Sequence, residues 1–423
     1  MPSNPSTFAV STRPEDYLVG IDVGTSAVRT LVAMRDPSGQ KLAIVGKGEA
    51  PNTGCRRDSI VNVEATVEAL RQASEEAEVM AGIEISRAYV GIAGRDIRSI
   101  NASGFVSITG KEREIGPNDV RRVMDTTRTD ALPPDFEVLH AVPQEFVVDQ
   151  QRGIADPVGM LGSRLEVFAH LVTAEQKRTR MLQSCVNRAG IEVVELVFEP
   201  LATAEALLTS DERELGVLLI DLGAGSTEYA LYHHGEVQHS AVLPIGGGHF
   251  TRDLAQVLRT PTDEAERMKI RAGCCLSGLY NDQAVINVPA VAGGEARTVR
   301  RQELVEILQP RAEELLCLIR DDLARRGLGD QLTGGVVLSG GAVQLNGLLE
   351  MAASVFSANV RYGMPRHFEG LVDVIKDNPS WCCAAGLLRY GLLVERSQRR
   401  GRGRRLSVRG LMSNLRSMFA DLL

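Results

Sequence analysis

The sequence predicts an α/β chain of two lobes built on a duplicated core, with one subdomain inserted into each half. Three observations carry that prediction. Two strand–turn–strand segments, each with an Asp-x-Gly turn, stand 199 residues apart. Each half also carries one helix rich in small residues. Between these shared pieces lie two stretches with strand-and-helix patterns of their own.

The first hairpin is Tyr17–Met34: an apolar strand, the turn Asp22-Val23-Gly24-Thr25-Ser26, and a second strand, Val28–Met34. The second is Gly216–Tyr232: strand Val217–Ile220, the turn Asp221-Leu222-Gly223-Ala224-Gly225-Ser226-Thr227, and strand Glu228–Tyr232. Apolar runs bounded by Gly-containing turns read as β-hairpins. The small-residue helices are Pro200–Leu208, with Pro at its start, and Ser380–Tyr390, with Ala384, Ala385 and Gly386. Small side chains let two helices approach closely, which suits a hinge between halves as well as ordinary core packing.

The pattern assigns 17–97 plus 174–210 to the first core and 211–250 plus 331–395 to the second. Residues 98–173 read as short strands around one helix, Asn118–Thr127, and form the first insert. Residues 251–330 form the second, with helices at Asp263–Arg271 and Glu303–Arg326 and a strand-like stretch between them. Residues 396–408 hold Arg, Gly, Ser and Gln without a hydrophobic period, so a disordered basic linker is expected there. Residues 409–423 read as a closing helix.

Composition bounds the class. Hydrophobic residues make up 44% and charged residues 24% of 423, ordinary for a soluble globular protein of several domains. Met1–Asp16 is polar and lacks an apolar core segment, so no secretory signal is expected. Seven cysteines include two vicinal pairs but no C-x-x-C, which points to reduced thiols in the cytosol rather than a metal or redox motif. The net charge of −7 is uneven. Arg396–Leu423 carries eight Arg and one Asp, leaving −14 on the rest. An acidic body with a basic end implies a separate task for that end.

The two turns carry the chemistry. Glycine lets backbone approach a phosphate, and the N–H groups of a tight turn form an anion-binding nest. Gly24, Gly223 and Gly225 serve that purpose, while Thr25, Ser26, Ser226 and Thr227 offer hydroxyls. Asp22 and Asp221 would repel a polyphosphate unless a cation lay between, so they imply Mg²⁺ held through its waters. Gly246-Gly247-Gly248 precedes a helix at His249–Leu258, whose N-terminus favours anions. Val336–Ser339 runs into Gly340-Gly341-Ala342, where bare backbone suits a base or ribose. Rival motifs fail: no Walker A, no G-x-G-x-x-G after a strand, no G-x-S-x-G and no H-E-x-x-H occurs.

The order of these pieces resembles the superfamily of actin, the DnaK chaperones and the sugar kinases, and so implies an actin-like (ribonuclease-H-like) fold that binds ATP. Within it the chain resembles the FtsA family of bacterial cell-division proteins. The strings that carry the likeness are Val19–Ser26, Asp156-Pro157-Val158-Gly159-Met160, Gly246–Thr251, and Thr260-Pro261 leading into Ala265–Lys269. The resemblance implies Mg·ATP as cofactor, filaments of the chain on the inner face of the cell membrane at the division septum, tethering of FtsZ, and recruitment of later division proteins. It places Glu266 and Lys269 beside the adenosine, with Gly340, Gly341 and Ala342 behind it. It sets Glu199 where some relatives activate water; the alternative is that Glu199 caps its helix. At most a weak ATPase follows. The FtsZ C-terminal peptide is expected on the second insert, where Arg297, Arg300 and Arg301 would suit an acidic partner or form a solvated face. The rivals are an actin-like protein of the pilus-assembly or shape-determining type, and a sugar-kinase-like phosphotransferase.

The closing helix strengthens the likeness. Leu411, Met412, Leu415, Met418, Phe419, Leu422 and Leu423 fill an arc of about 140° at ~100° per residue. Its length of about 22 Å cannot cross a ~30 Å hydrocarbon core, so it is expected to lie in the membrane interface. Upstream arginines would add roughly 1 kcal/mol each on anionic lipid. Nucleic acid is not expected, because the basic run lacks interleaved aromatics.

Overall fold

A computed structural model describes residues 16–36, 41–109, 113–129, 133–279, 283–291 and 296–402. The chain opens with three antiparallel strands, β1 (Tyr17–Val23), β2 (Ala27–Arg35) and β3 (Leu42–Pro51). A small hairpin, β4 (Cys55–Arg56) and β5 (Ser59–Ile60), leads into α1 (Val63–Ala81) and β6 (Arg87–Ile92). Next come β7 (Ile97–Ser107), α2 (Pro117–Thr129), β8 (Phe136–Val148), β9 (Gln151–Ile154) and β10 (Arg164–Glu175). The first half closes with α3 (Gln176–Arg188), β11 (Glu192–Phe198) and α4 (Glu199–Leu207), and short α5 (Ser210–Leu215) leads on.

The second half repeats the opening with β12 (Val217–Leu222), β13 (Thr227–His233) and β14 (Glu236–Leu243). Then follow α6 (Gly247–Leu258), α7 (Thr262–Ala272), β15 (Val285–Val288), β16 (Arg297–Arg300) and α8 (Arg301–Arg325). The described chain ends with β17 (Gly335–Ser339), α9 (Leu348–Phe356), β18 (Val360–Tyr362), β19 (Phe368–Gly370) and α10 (Cys382–Arg402).

The duplication is visible strand by strand. One sheet runs β11-β6-β1-β2-β3-β19 and the other β14-β13-β12-β17-β18. In each, a three-strand antiparallel meander is extended by strands parallel to its first: β6 and β11 beside β1, β17 and β18 beside β12. Asp22 faces Arg29 in the first hairpin, and Asp221 faces Glu228 at the matching register of the second. β1 and β12 are buried almost throughout, which is why they read as continuous apolar runs rather than alternating ones.

α4 and α10 form the layer between the two sheets, and one hydrophobic cluster spans both faces of that layer. Their small residues permit a close crossing: the atoms nearest to a Cβ on Gly386 would be backbone atoms of Ala202 and Thr203. The same device seats α1 on β3. A Cβ on Gly48 would strike the carbonyl of Ala73, and one on Gly46 would lie 2.8 Å from Ala81 Cβ. Asn62 caps α1 through its side chain, and Gly82 ends it at φ 69°.

Two expected boundaries change. Residues 331–395 do not all belong with the second sheet, because β19 pairs with β3 and α10 packs against β1, β2 and β6. The chain returns to the first lobe since its apolar α10 face finds its burial there. The expected linker also begins later, for α10 continues as helix through Arg402. Arg and Gln are good helix formers and propagate a turn already nucleated. The remaining linker and the closing helix lie outside the described residues. Among the described residues, no helix is long and apolar enough to cross a membrane.

Residues 97–175 form their own sheet, β7-β10-β8-β9, covered by α2 around a separate core. That sheet docks on the edge strand β14 of the second lobe. His170 Nε2 contacts Ser240 Oγ at 2.8 Å, and the side chains of Asn101 and Gln144 donate to the carbonyls of Gln238 (3.0 Å) and Val237 (2.8 Å). A bare sheet edge carries unpaired carbonyls, and these side chains satisfy them.

Candidate functional site

The two Asp-x-Gly turns meet. Thr25 Oγ1 donates to Asp58 Oδ1 at 3.2 Å, and the Ser226 hydroxyl bonds to the same carboxylate. Strand direction explains the convergence, since both turns lie at the C-terminal ends of the matching strands β1 and β12. Ser226 Oγ also donates to Glu228 Oε1 at 2.6 Å, and that oxygen accepts the Gly94 N–H at 3.1 Å.

Five carboxylates line this cleft: Asp22, Asp58, Glu199, Asp221 and Glu228. Burial pushes Asp22 up to about 6, against the Arg29 guanidinium 4.0 Å away. Burial, then the charge of Asp22, pushes Asp221 up to about 7, although Thr203 (3.2 Å) and Ser339 (3.4 Å) donate to it. Glu228 rises to about 8, chiefly through burial. Glu199 lies well above the usual carboxylate range because it is desolvated beside three other acids. Asp22, Glu199 and Cys383 each place a ligand atom within 4.8 Å of the others. Crowded acids of this kind are short of positive charge. A divalent cation fits the oxygen donors Asp22 and Glu199, because it supplies that charge; burial pushes the Cys383 thiol up, so it stays protonated beside them.

The remaining expected residues cluster on the second lobe. Lys269 Nζ reaches Gly247 O (3.0 Å), Thr251 Oγ1 (2.8 Å) and Glu266 Oε2 (2.7 Å). Ala342 lies against this group: a Cβ on Gly247 would come 2.8 Å from Ala342 Cβ. Gly340, at φ 89°, passes over Asp221 and Leu222, and Gly341 faces Ser380. Glu266, Lys269 and Gly340–Ala342 thus flank one side of the second turn, while Glu199 heads α4 beside Asp22 of the first.

The bonding pattern alters three expectations. Thr227 is fully buried and donates to Ile245 O at 2.6 Å, so its hydroxyl is not offered to the cleft. It begins β13, where side chains alternate, and its neighbours Ser226 and Glu228 face the cleft instead. The N–H groups of Gly246, Gly247 and Gly248 are also engaged, by His249 Nδ1 (3.1 Å), Gly223 O (2.9 Å) and Ala224 O (2.8 Å). These glycines let α6 begin in backbone contact with the second turn instead of presenting free donors. Of the three arginines, Arg297 donates to Leu258 O (3.1 Å) and Arg301 to Ala272 O (2.8 Å), closing the ends of α6 and α7. The Arg300 side chain stands exposed.

Sequence reasoning missed Asp58, Glu228 and Cys383. Glu228 had a signal, being a lone acid in an otherwise apolar strand, Thr227–His233. Asp58 and Cys383 had none, because each reaches the cleft through long-range packing. A cavity of about 260 Å³ adjoins Thr25 and Asp58 and extends toward α3, lined also by Lys177, Arg178, Met181 and Leu182. It lies on the first-lobe side, away from Lys269 and Ala342.

Known proteins resemble this chain in sequence and in fold. A family model described as "Cell division protein FtsA" matches residues 218–386, and one described as "SHS2 domain inserted in FTSA" matches residues 94–173. The cell division protein FtsA of Pseudomonas aeruginosa is 42% identical, over 93% of this chain and 92% of its own. That of Escherichia coli K12 is 36% identical over 88% and 90%. Among solved structures, a chain of the PilM-PilN type IV pilus biogenesis complex superposes with a TM-score of 0.64 at 17% identity, covering 89% of this chain and 98% of its own. MreB5 of Spiroplasma citri bound to ADP gives 0.56 at 14%, covering 92% and 99%. With an actin-like fold and relatives of this identity along nearly its whole length, the chain belongs to the FtsA family of cell-division proteins.

Proposed function

We propose that the cleft binds Mg·ATP, and that the protein uses it to form filaments on the membrane that hold FtsZ at the division septum and recruit later division proteins. The observation that carries the nucleotide reading is the shared carboxylate: hydroxyls from both turns, Thr25 and Ser226, converge on one anionic group. Asp22 and Asp221 hold the cation through its waters, with Glu199 beside them. Gly24, Ser26, Gly223 and Gly225 shape the turns, and Glu266, Lys269, Gly340, Gly341 and Ala342 receive the adenosine. The magnesium supplies positive charge between the phosphates and the acids. Support from outside the chain is that fold relatives from Spiroplasma citri are solved with ADP and with AMPPNP.

Calorimetry with Mg·ATP tests this. The parent chain is expected to bind, and Asp22→Ala or Asp221→Ala to weaken binding at least tenfold. Unchanged affinity in both variants would remove the phosphate-site assignment. The basic end and the amphipathic residues Leu411, Met412, Leu415, Met418, Phe419, Leu422 and Leu423 support attachment to anionic lipid. Pelleting with anionic vesicles should be lost when residues 409–423 are removed. The second-half segment 251–330 is the proposed seat of the FtsZ tail peptide, with exposed Arg300 available to its acids; a pulldown with that peptide checks it. A weak ATPase would depend on Glu199.

A further inference from the structure

Asp58 is held in an unusual way. It stands at the tip of the β4–β5 hairpin, whose two central residues, Arg57 and Asp58, have φ of 46° and 62°. Such tight turns need φ above zero at both positions and are normally built from Asn and Gly. A turn of this chemistry persists when the surroundings hold it in place. Here the surroundings are the two phosphate turns. The carboxylate accepts from Thr25 and bonds to Ser226, and a Cβ on Gly225 would collide with it. Only 9% of the residue is exposed.

On the ATP reading above, those hydroxyls are donors that a terminal phosphate could engage. A carboxylate and a phosphoryl group are both oxyanions that accept from them, and both cannot stand there together. We propose that Asp58 is an internal occupant of the terminal-phosphate position, and that it sets how strongly the cleft distinguishes a nucleoside triphosphate from a diphosphate. The inference rests on the ATP reading above. A diphosphate leaves the hairpin tip where it is. A triphosphate turns it out into the adjoining cavity of about 260 Å³. That cavity offers the displaced carboxylate the side chains of Lys177 and Arg178, alongside the acids Asp96 and Glu175 that also line it. Arg178 is paired with Asp96 at 3.5 Å, a long contact, and its charge already reaches Asp58.

The test compares Mg·ATP and Mg·ADP binding to the full chain and to Asp58→Asn. The variant removes one negative charge at nearly constant shape. ATP is expected to bind about tenfold more tightly, and ADP to change by less than about twofold. Asp58→Gly is the second variant: glycine accepts the positive φ, so the hairpin is retained, and the same ATP-selective gain is expected. Melting temperatures check that both variants fold. Equal gains for both nucleotides, no change, or weaker ATP binding would overturn the inference and leave the ATP reading intact. If neither the parent nor the variants bind either nucleotide, the ATP reading falls and this inference with it.

Discussion

Gly386→Ala sets two effects of opposite sign against each other. In an exposed helix the change would stabilise by about 1 kcal/mol, because alanine orders at lower entropic cost. Gly386 is not exposed. A Cβ there would overlap the Ala202 carbonyl group and lie 2.7 Å from Thr203 Cα, all of it backbone. No rotamer change relieves a clash with backbone, so α4 and α10 must separate. Overpacking of this kind costs about 1–3 kcal/mol, and a backbone partner belongs at the upper end. The net expectation is a loss of about 2 kcal/mol. The strain also reaches the cleft, since α4 begins with Glu199 and α10 carries Cys383, both beside Asp22. Urea unfolding of the full chain measures the loss, with Gly329→Ala as control, where the nearest atom is 3.8 Å away and little change is expected. Nucleotide affinity should fall about tenfold alongside it. A Gly386→Ala protein as stable as the parent, or more so, would refute the claim that this crossing is closed to a single methyl group.

Asp22, Asp221 and Glu228 have folded pKa values raised to about 6, 7 and 8, so the folded state holds protons that the unfolded chain releases from about pH 4 upward. Without a bound cation, stability should therefore fall as pH rises from about 4 to 8, and Glu228→Gln should be more stable than the parent at pH 8 in urea titrations. His140 and His170 behave oppositely: burial lowers them to about 4 and 3, so their contribution is lost as pH falls below about 6.5. Replacing His170 with Leu strips the contacts to Asn101 and Ser240, and should speed hydrogen exchange in both β7 and β14; exchange unchanged in β14 would show that the docking does not depend on it. Mg²⁺ should raise the melting temperature more at pH 8 than at pH 6, because it then meets acids that are already ionised.

By itself, the sequence determined the duplicated hairpins with their Asp-x-Gly turns and the small-residue helices. Those features follow from local rules: apolar runs, glycine turns and helical spacing are set by neighbours in the chain. Family likeness was legible for the same reason, in contiguous strings such as Val19–Ser26. Tertiary structure alone decided the rest. It chose Ser226 over Thr227 for the cleft through the alternation of β13, and used the N–H groups of Gly247 and Gly248 to seat α6 on the second turn. It returned β19 and α10 to the first lobe across a long stretch of chain. It also brought Asp58 from a remote hairpin to lie between Thr25 and Ser226. Contacts of that kind depend on which surfaces bury one another, and a pattern read along one dimension does not contain them.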